Sequence, residues 1–471
     1  MRSTSRRSTG RSWLRRGLAS AAALALGSSL VTAAGSPAAA EERVANPFAG
    51  ADAYVNPEWA GDVRAQAAQT GGQLGQKMES VAQYPTAVWM DRIAAIEGPA
   101  GGMGLRDHLD AALEQQSGST PMVVTVVVYN LPNRDCAALA SNGELRIDQN
   151  GMQRYQQEYI DPIAEILGDP AYESLRIVAV IEPDSLPNLV TNVDGQFGTE
   201  DCREAAGPGG YVDGVRYALD NLQFENVYNY VDIGHSGWLG WPDTNFPQTV
   251  SLLTSTIRGT QAGVNSVSGF ITNTANYTPT VEPFLTNPDL QVGGQPVRSA
   301  AFYEWNPRFA ELGFAQALRT AFVNSGFPSD IGMLIDTSRN GWGGPDRPTS
   351  VSTSTNLNTY VDESRVDTRP HRGNWCNQAG AGIGERPRSA PAAGIDAYVW
   401  VKPPGESDGV SEGGIVDPDD PAKGFDRMCD PTWHNTWNPN VPTNALPNAP
   451  HAGRWFPEQF EMLVENAHPA L

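Results

Sequence analysis

Three aspartates sit where carboxylates can act as proton donors and acceptors. Asp184, in Ile181-Glu182-Pro183-Asp184-Ser185-Leu186, follows an apolar run. Partial desolvation there would raise its pKa and keep it protonated as an acid. Asp135, in Asn133-Arg134-Asp135-Cys136, is a second carboxylate at another strand exit, and Asp408, in Lys402-Pro403-Pro404-Gly405-Glu406-Ser407-Asp408-Gly409, is a third. An acid for a leaving oxygen and a carboxylate across the sugar are the requirements of glycoside hydrolysis, and their separation decides between inversion and retention. Trp238 and Trp241 add a second signal. They lie in Gly234-His235-Ser236-Gly237-Trp238-Leu239-Gly240-Trp241, a glycine-rich strand exit with little core to pack into. Indole rings stack on the apolar faces of pyranoses, so the pair reads as a sugar platform. Trp400, mid-strand, and Trp455, before the last helix, are assigned to core packing.

These residues must be positioned by something, and the apolar pattern suggests what. Runs at 86–90, 122–129, 176–181, 227–232, 268–272, 333–336 and 397–401 predict strands. Helical patterns fall between them, among them 151–167, 211–222, 248–263, 307–324 and 457–467, while 46–60 reads as an irregular lead-in. Near-continuous apolar strands alternating with helices predict a parallel sheet covered on both faces, and one large α/β barrel-like domain is the economical form. Each predicted strand ends in polar or aromatic residues: Trp89-Met90-Asp91, Tyr129-Asn130, Glu182, Asp232 to His235, Asn273, Asp336 and Lys402. In a (β/α) barrel the carboxyl ends of the strands share the face that carries the chemistry. Segments 340–395 and 403–453 resist assignment, yet they hold Cys376, Cys429, Trp342, Trp375, Trp433 and Trp437. Ordered loops roofing the active face are expected there.

The charge excludes several partners. The 471 residues carry 32 Lys and Arg against 53 Asp and Glu, a net charge of −21. Arg2, Arg6, Arg7, Arg11, Arg15 and Arg16 all fall in the first forty residues, which hold no acid. So acidic a remainder repels phosphate backbones and anionic lipid, and neither nucleic acid nor a membrane surface is expected as a partner. The basic start, the small-residue apolar stretch 18–34 and Ala38-Ala39-Ala40 before Glu41 read as a secretory signal peptide over 1–40, leaving 41–471 as a single catalytic domain. Export makes two disulfides the expectation for Cys136, Cys202, Cys376 and Cys429, with three pairings open. The six histidines are scattered and no C-x-x-C pair occurs, so neither a metal nor a cofactor is expected.

Four blocks, in order, resemble one family. Asn133-Arg134-Asp135-Cys136-Ala137-Ala138-Leu139-Ala140-Ser141, Ile181 to Leu186, Asp232 to Trp241 and Val399-Trp400-Val401-Lys402-Pro403 look like glycoside hydrolase family 6, the inverting cellulases that cut β-1,4-glucan. The match runs from about Trp89 to the C-terminus, and no matched position departs from the pattern. The resemblance implies a distorted (β/α) barrel of about seven parallel strands. It makes Asp184 the general acid, Asp135 the carboxylate that tunes it and Asp408 the proposed base. It gives Tyr129 to crowding of the distorted sugar and Ser141 to holding the catalytic water. Trp89, Trp238, Trp241 and Trp375 match sugar platforms, with Asp232, His235, Lys402 and Glu406 among the substrate-binding residues. It also selects the pairings Cys136–Cys202 and Cys376–Cys429.

The long insertions 192–211 and 365–453 are more like those of bacterial exocellulases than of short-looped endoglucanases. The expectation is therefore a secreted, monomeric cellobiohydrolase acting on cellulose and cello-oligosaccharides from non-reducing ends, with no appended cellulose-binding module. An endo-β-1,4-glucanase is the alternative within enzymes. A glucan-binding protein without catalysis is the alternative outside them, and Asp184, Asp135 and Asp408 together weigh against it.

Overall fold

A computed structural model describes residues 43–99, 101–435 and 439–471; the leader and Trp437 lie outside the described residues. Seven strands run parallel: β1 (Val88–Met90), β2 (Met122–Val128), β3 (Leu175–Ile181), β4 (Val227–Asp232), β5 (Gly269–Thr272), β6 (Gly332–Asp336) and β7 (Ile395–Val399). Each pairs with the next in chain order. The sheet curls until its two edges nearly meet. The Ala87 amide donates to the Trp400 carbonyl at 3.0 Å, and the Trp89 indole N–H donates to the Val401 carbonyl at 2.8 Å. This is the distorted barrel of seven parallel strands that the resemblance implies.

The pleat explains why the strands are apolar throughout. In β2, Val124, Val126 and Val128 point outward into the layer shared with the helices, while Val123 and Val127 point into the barrel. In β3, Ile177, Ala179 and Ile181 face out and Val178 and Val180 face in. Both faces are dry, so a period-2 element carries apolar residues at both phases. The helices Tyr211–Asn221, Asn245–Arg258 and Glu311–Asn324 cover the outer face. Glu311–Asn324 buries Phe314, Ala315, Leu318 and Phe322, a helical stripe aimed at β5, where Phe270 stacks on Phe322 at 4.0 Å.

Several expectations are corrected. The lead-in is not irregular throughout: Asp52–Ala53 pairs with the start of β2, and a helix spans Pro57–Thr70. Asn56 caps that helix by accepting from the Glu58 amide, with Pro57 at its first position. A second helix, Gly72–Val81, follows it. Together with the C-terminal helix Pro457–Glu465 they bury Trp59, Met78, Trp342, Trp400 and Phe460 in a separate core. Trp342 is therefore core rather than roof. Segment 340–395 also holds a helix, Leu357–Ser364, and a strand, Arg388–Ala392, antiparallel to β7. The 151–167 helix is interrupted by a π-helical stretch, Tyr155–Ile160. No helix among the described residues is long and apolar enough to cross a membrane.

Phe270→Ala tests the outer core. The ring is fully buried between Phe322 and Phe327, so truncation should destabilise by about 3–5 kcal/mol. Denaturant unfolding should show a lower midpoint at an unchanged slope.

Candidate functional site

At the carboxyl ends of the strands a cleft of about 1060 Å³ opens. Trp89, Tyr129, Asp135, Ser141, Asp184, His235, Trp238, Trp241, Trp375, Lys402, Glu406 and Asp408 all line it. Asp232 does not. It is buried behind Asp184, where its Oδ1 accepts from the Asp184 amide at 3.0 Å and the Gly234 amide at 2.9 Å.

The Asp184 turn follows from its position. After β3 the backbone turns through left-handed φ at Glu182 (48°) and Asp184 (61°), then enters the helix Ser185–Thr191. Left-handed non-glycine residues are strained and gather at functional turns. Among the described interactions the Asp184 carboxyl has no hydrogen-bond donor of its own, and its backbone oxygen accepts from the Asn188 amide and side chain. Burial pushes the Asp184 carboxyl well above the usual carboxylate range, and the charges of Asp232 and Asp135 push it further. Asp232 is raised to about 6 by burial, against the pull of its two backbone donors. A dry site and neighbours of its own sign thus both push the Asp184 carboxyl toward its protonated form.

Asp135 sits on the β2 exit in a left-handed turn, with φ of 51°. Burial raises its pKa, opposed by hydrogen bonds from Ser141 and the Tyr129 hydroxyl and by the Arg134 charge. The Tyr129 hydroxyl donates directly to Asp135 Oδ2. Arg134 lies 4.3 Å over the Tyr129 ring and donates to the carbonyls of Asp91, Tyr129, Ser141 and Asn142. One guanidinium therefore orders the exits of β1 and β2.

Asp408 is held differently. Arg339, fully buried, lies 2.8 Å from its Oδ1 and 2.9 Å from its Oδ2. Oδ2 also accepts from the Tyr277 hydroxyl at 2.6 Å and the Asn377 amide at 2.8 Å. Oδ2 is thus held by three donors, while Oδ1 meets only Arg339 among the described interactions.

The aromatic residues are fixed by their indole nitrogens. Trp238 donates to Thr191 Oγ1, and Trp241 to the Glu304 carbonyl, both at 2.8 Å. These bonds pin one edge of each ring at the cleft wall. His235 is buried, and burial together with the Arg369 and Arg372 charges pushes its imidazole well below the usual range. Thr278 Oγ1 lies 3.1 Å from its Nδ1. At the other end, Lys402 donates to the Ser407 carbonyl, lies 3.8 Å from Glu406 and sits over the Trp89 ring. Burial raises Glu406 to about 7.

Both disulfides pair as the resemblance implies, Cys136–Cys202 and Cys376–Cys429. Each ties an insertion to the site. Cys202 anchors the 192–211 loop, whose Gln196 and Phe197 line the cleft, to the residue after Asp135. Cys376 and Cys429 join two parts of the 365–453 insertion under Trp375 and Met428. That insertion is in turn bound to the Ser141 loop, because the Leu139 amide donates to Asp426 and the Gly424 amide to the Leu139 carbonyl, both at 2.9 Å.

Sequence reasoning missed Arg339, Tyr277, Lys423 and the role of Arg134. Arg339 follows β6 by three residues, so its strand-exit position was a usable signal. Tyr277 and Lys423 lie in loops with no such mark. Lys423 also lines the cleft, donating to Asp91 at 3.1 Å.

Comparison with known proteins agrees with this geometry. Residues 48–467 match the model of glycosyl hydrolases family 6. The chain is 53% identical to exoglucanase A of Cellulomonas fimi over 94% of its own length, and spans half the length of that relative. The catalytic domain of Cellulomonas fimi Cel6B superposes with a TM-score of 0.87 at 52% identity, covering 91% of this chain and 97% of that one. Cellobiohydrolase II (Cel6A) from Humicola insolens, solved with glucose and cellotetraose, superposes at 0.69 with 31% identity over 90% of this chain and all of that one.

A buried carboxyl whose folded pKa is raised stabilises least where the unfolded chain ionises it. The Asp184 contribution is fully present below the unfolded carboxylate pKa of about 3.9 and falls as pH rises above it. Asp184→Asn should therefore melt at a higher temperature than the parent, with the gap widening from pH 4 to pH 7. A gap that is constant or shrinks with pH would contradict the raised pKa.

Proposed function

The chain belongs to glycosyl hydrolases family 6, and from that premise we propose that it is an inverting cellobiohydrolase releasing cellobiose from the non-reducing ends of β-1,4-glucan. Residues 1–40 are its export signal and 41–471 its catalytic domain. Its partners are cellulose and cello-oligosaccharides, and it works as a monomer without a cofactor, outside the cell. The names of its relatives, exoglucanase and cellobiohydrolase, support the exo reading. So does the presence of both long insertions along the cleft.

The observation that carries the chemistry is the Asp184 carboxyl, buried beside Asp232 and Asp135 at a cleft walled by tryptophan. A protonated Asp184 gives its proton to the glycosidic oxygen as the bond to the anomeric carbon breaks. Water attacks that carbon from the opposite face. Ser141 holds the water, Asp135 tunes Asp184, Tyr129 presses on the sugar that must distort, and Asp408 takes the proton at Oδ1. Trp89, Trp238, Trp241 and Trp375 carry the sugars, with His235, Lys402 and Glu406 at their edges. Asp232 works one step back, holding the Asp184 amide and repelling the charge that Asp184 would acquire.

Early products from cello-oligosaccharides, followed by proton NMR, should be α-anomeric cellobiose. A β-anomeric first product would mean a covalent intermediate and overturn the inverting reading. Asp184→Asn should bind cello-oligosaccharide yet lose about 10²–10⁴-fold in activity, and activity within tenfold of the parent would remove it from the acid role.

The exo reading has its own test on filter paper. The parent should release mostly soluble reducing ends. Cys376→Ser with Cys429→Ser should free the insertion and shift the ratio toward insoluble ends, while carboxymethylcellulose thins faster per bond broken. If the parent itself thins carboxymethylcellulose rapidly, an endoglucanase replaces this reading.

A further inference from the structure

Among the described residues Trp305 is the one tryptophan with an exposed side chain, at 58%. An indole left in water contributes little to stability, so its surroundings call for an explanation. The backbone around it is unusual. Glu304 and Trp305 are consecutive non-glycine residues in the left-handed region, with φ of 49° and 69°. That conformation is strained for each of them and persists only where neighbouring structure imposes it.

The imposing bonds come from the sugar-platform segment. The Glu304 carbonyl, one bond from the Trp305 nitrogen, accepts from the Trp241 indole at 2.8 Å. On the other flank, the Asn306 side chain donates to the Ser236 carbonyl at 2.7 Å. The Trp305 amide itself donates to the Arg298 carbonyl at 2.6 Å, and Arg298 pairs with Asp289 at 2.9 Å. Both neighbours of Trp305 are thus fastened to the 234–241 segment. Glu304 lines the cleft beside Trp241, while the Trp305 ring stands outside it.

We propose that Trp305 is a further binding platform for a β-1,4-glucan chain, continuing the aromatic track outward from Trp241 beyond the cleft. The ligand is a neutral polymer of pyranoses with apolar faces, which an exposed indole takes by stacking and which the net negative charge does not repel. Strain at Glu304 and Trp305 aims the ring, and the bonds to Trp241 and Ser236 keep it in register with the inner platforms. Because Trp305 does not line the cleft, the platform is expected to act on chains long enough to run past Trp241 and Glu304. This inference rests on the reading of the cleft as a glucan site.

The test compares a short substrate with a long one, using the full chain and Trp305→Ala. On cellotetraose, kcat/KM of the variant should stay within twofold of the parent. On microcrystalline cellulose, adsorption and the initial rate of cellobiose release should fall roughly three- to tenfold, the scale of one lost stacking contact, and Trp305→Phe should recover most of the loss. Equal losses on cellotetraose and cellulose would assign Trp305 a structural role and overturn the platform. Unchanged behaviour on both would overturn it too. A parent that releases no cellobiose from either substrate would instead overturn the proposed function, so the two failures are distinguishable.

Discussion

Carboxylates that end a strand on the active face accept from the backbone of a neighbouring strand exit. Glu182, after β3, accepts from the Asn130 and Leu131 amides after β2. Asp232, ending β4, accepts from the Asp184 amide after β3. Asp336, ending β6, accepts from the Ala275 amide after β5 and the Lys402 amide after β7. Buried amides and carboxylates both need partners, and here each supplies the other. The barrel's top is laced strand to strand, and that lacing holds the left-handed turns that aim Asp135 and Asp184 and fixes the backbone at Lys402.

The same constraint sets the electrostatics. Lacing places carboxyl groups close together in a region with little water, where each opposes ionisation of the next. Asp336 and Asp232 are compensated by backbone donors, whereas the Asp184 carboxyl has no donor among the described hydrogen bonds. Asp184 is therefore the one of these that burial and its neighbours push well above the usual carboxylate range. Asp408 escapes the arrangement through Arg339 and Tyr277, which give it an environment of opposite character. The proposed chemistry draws on that difference between two aspartates more than on either alone.

Apart from β7, which falls within 365–453, the insertions are built onto this frame without a large core of their own. The cluster around Cys376 and Cys429 contains only Ala140 besides, with Trp375 and Met428 packed against it. Its attachment is polar and covalent: a disulfide within it, Asp426 on the Leu139 amide, and the neighbouring Cys136–Cys202 bond into the 192–211 loop. The walls of the cleft and the loop bearing Asp135 and Ser141 are consequently one connected piece.

All seven strands could be read from the chain because strands buried on both faces give runs such as Met122–Val128 that no other element resembles. The helix Pro57–Thr70 could not, since its Ala- and Gln-rich face has no strong period, and only the Asn56-Pro57 cap marked it. Asp184, Asp135 and Asp408 were visible as polar residues at strand exits, with the family motifs around them. Their partners were a matter of space. Asp232 reaches Asp184 across 48 residues, Arg339 reaches Asp408 across 69, and Asp426 reaches Leu139 across 287. Local apolar period and motif spacing determine which residues leave which strand, because both are properties of neighbours along the chain. Which carboxylate is left without a donor, which one meets an arginine, and which indole stays in water were decided only when the sheet curled and brought those exits together.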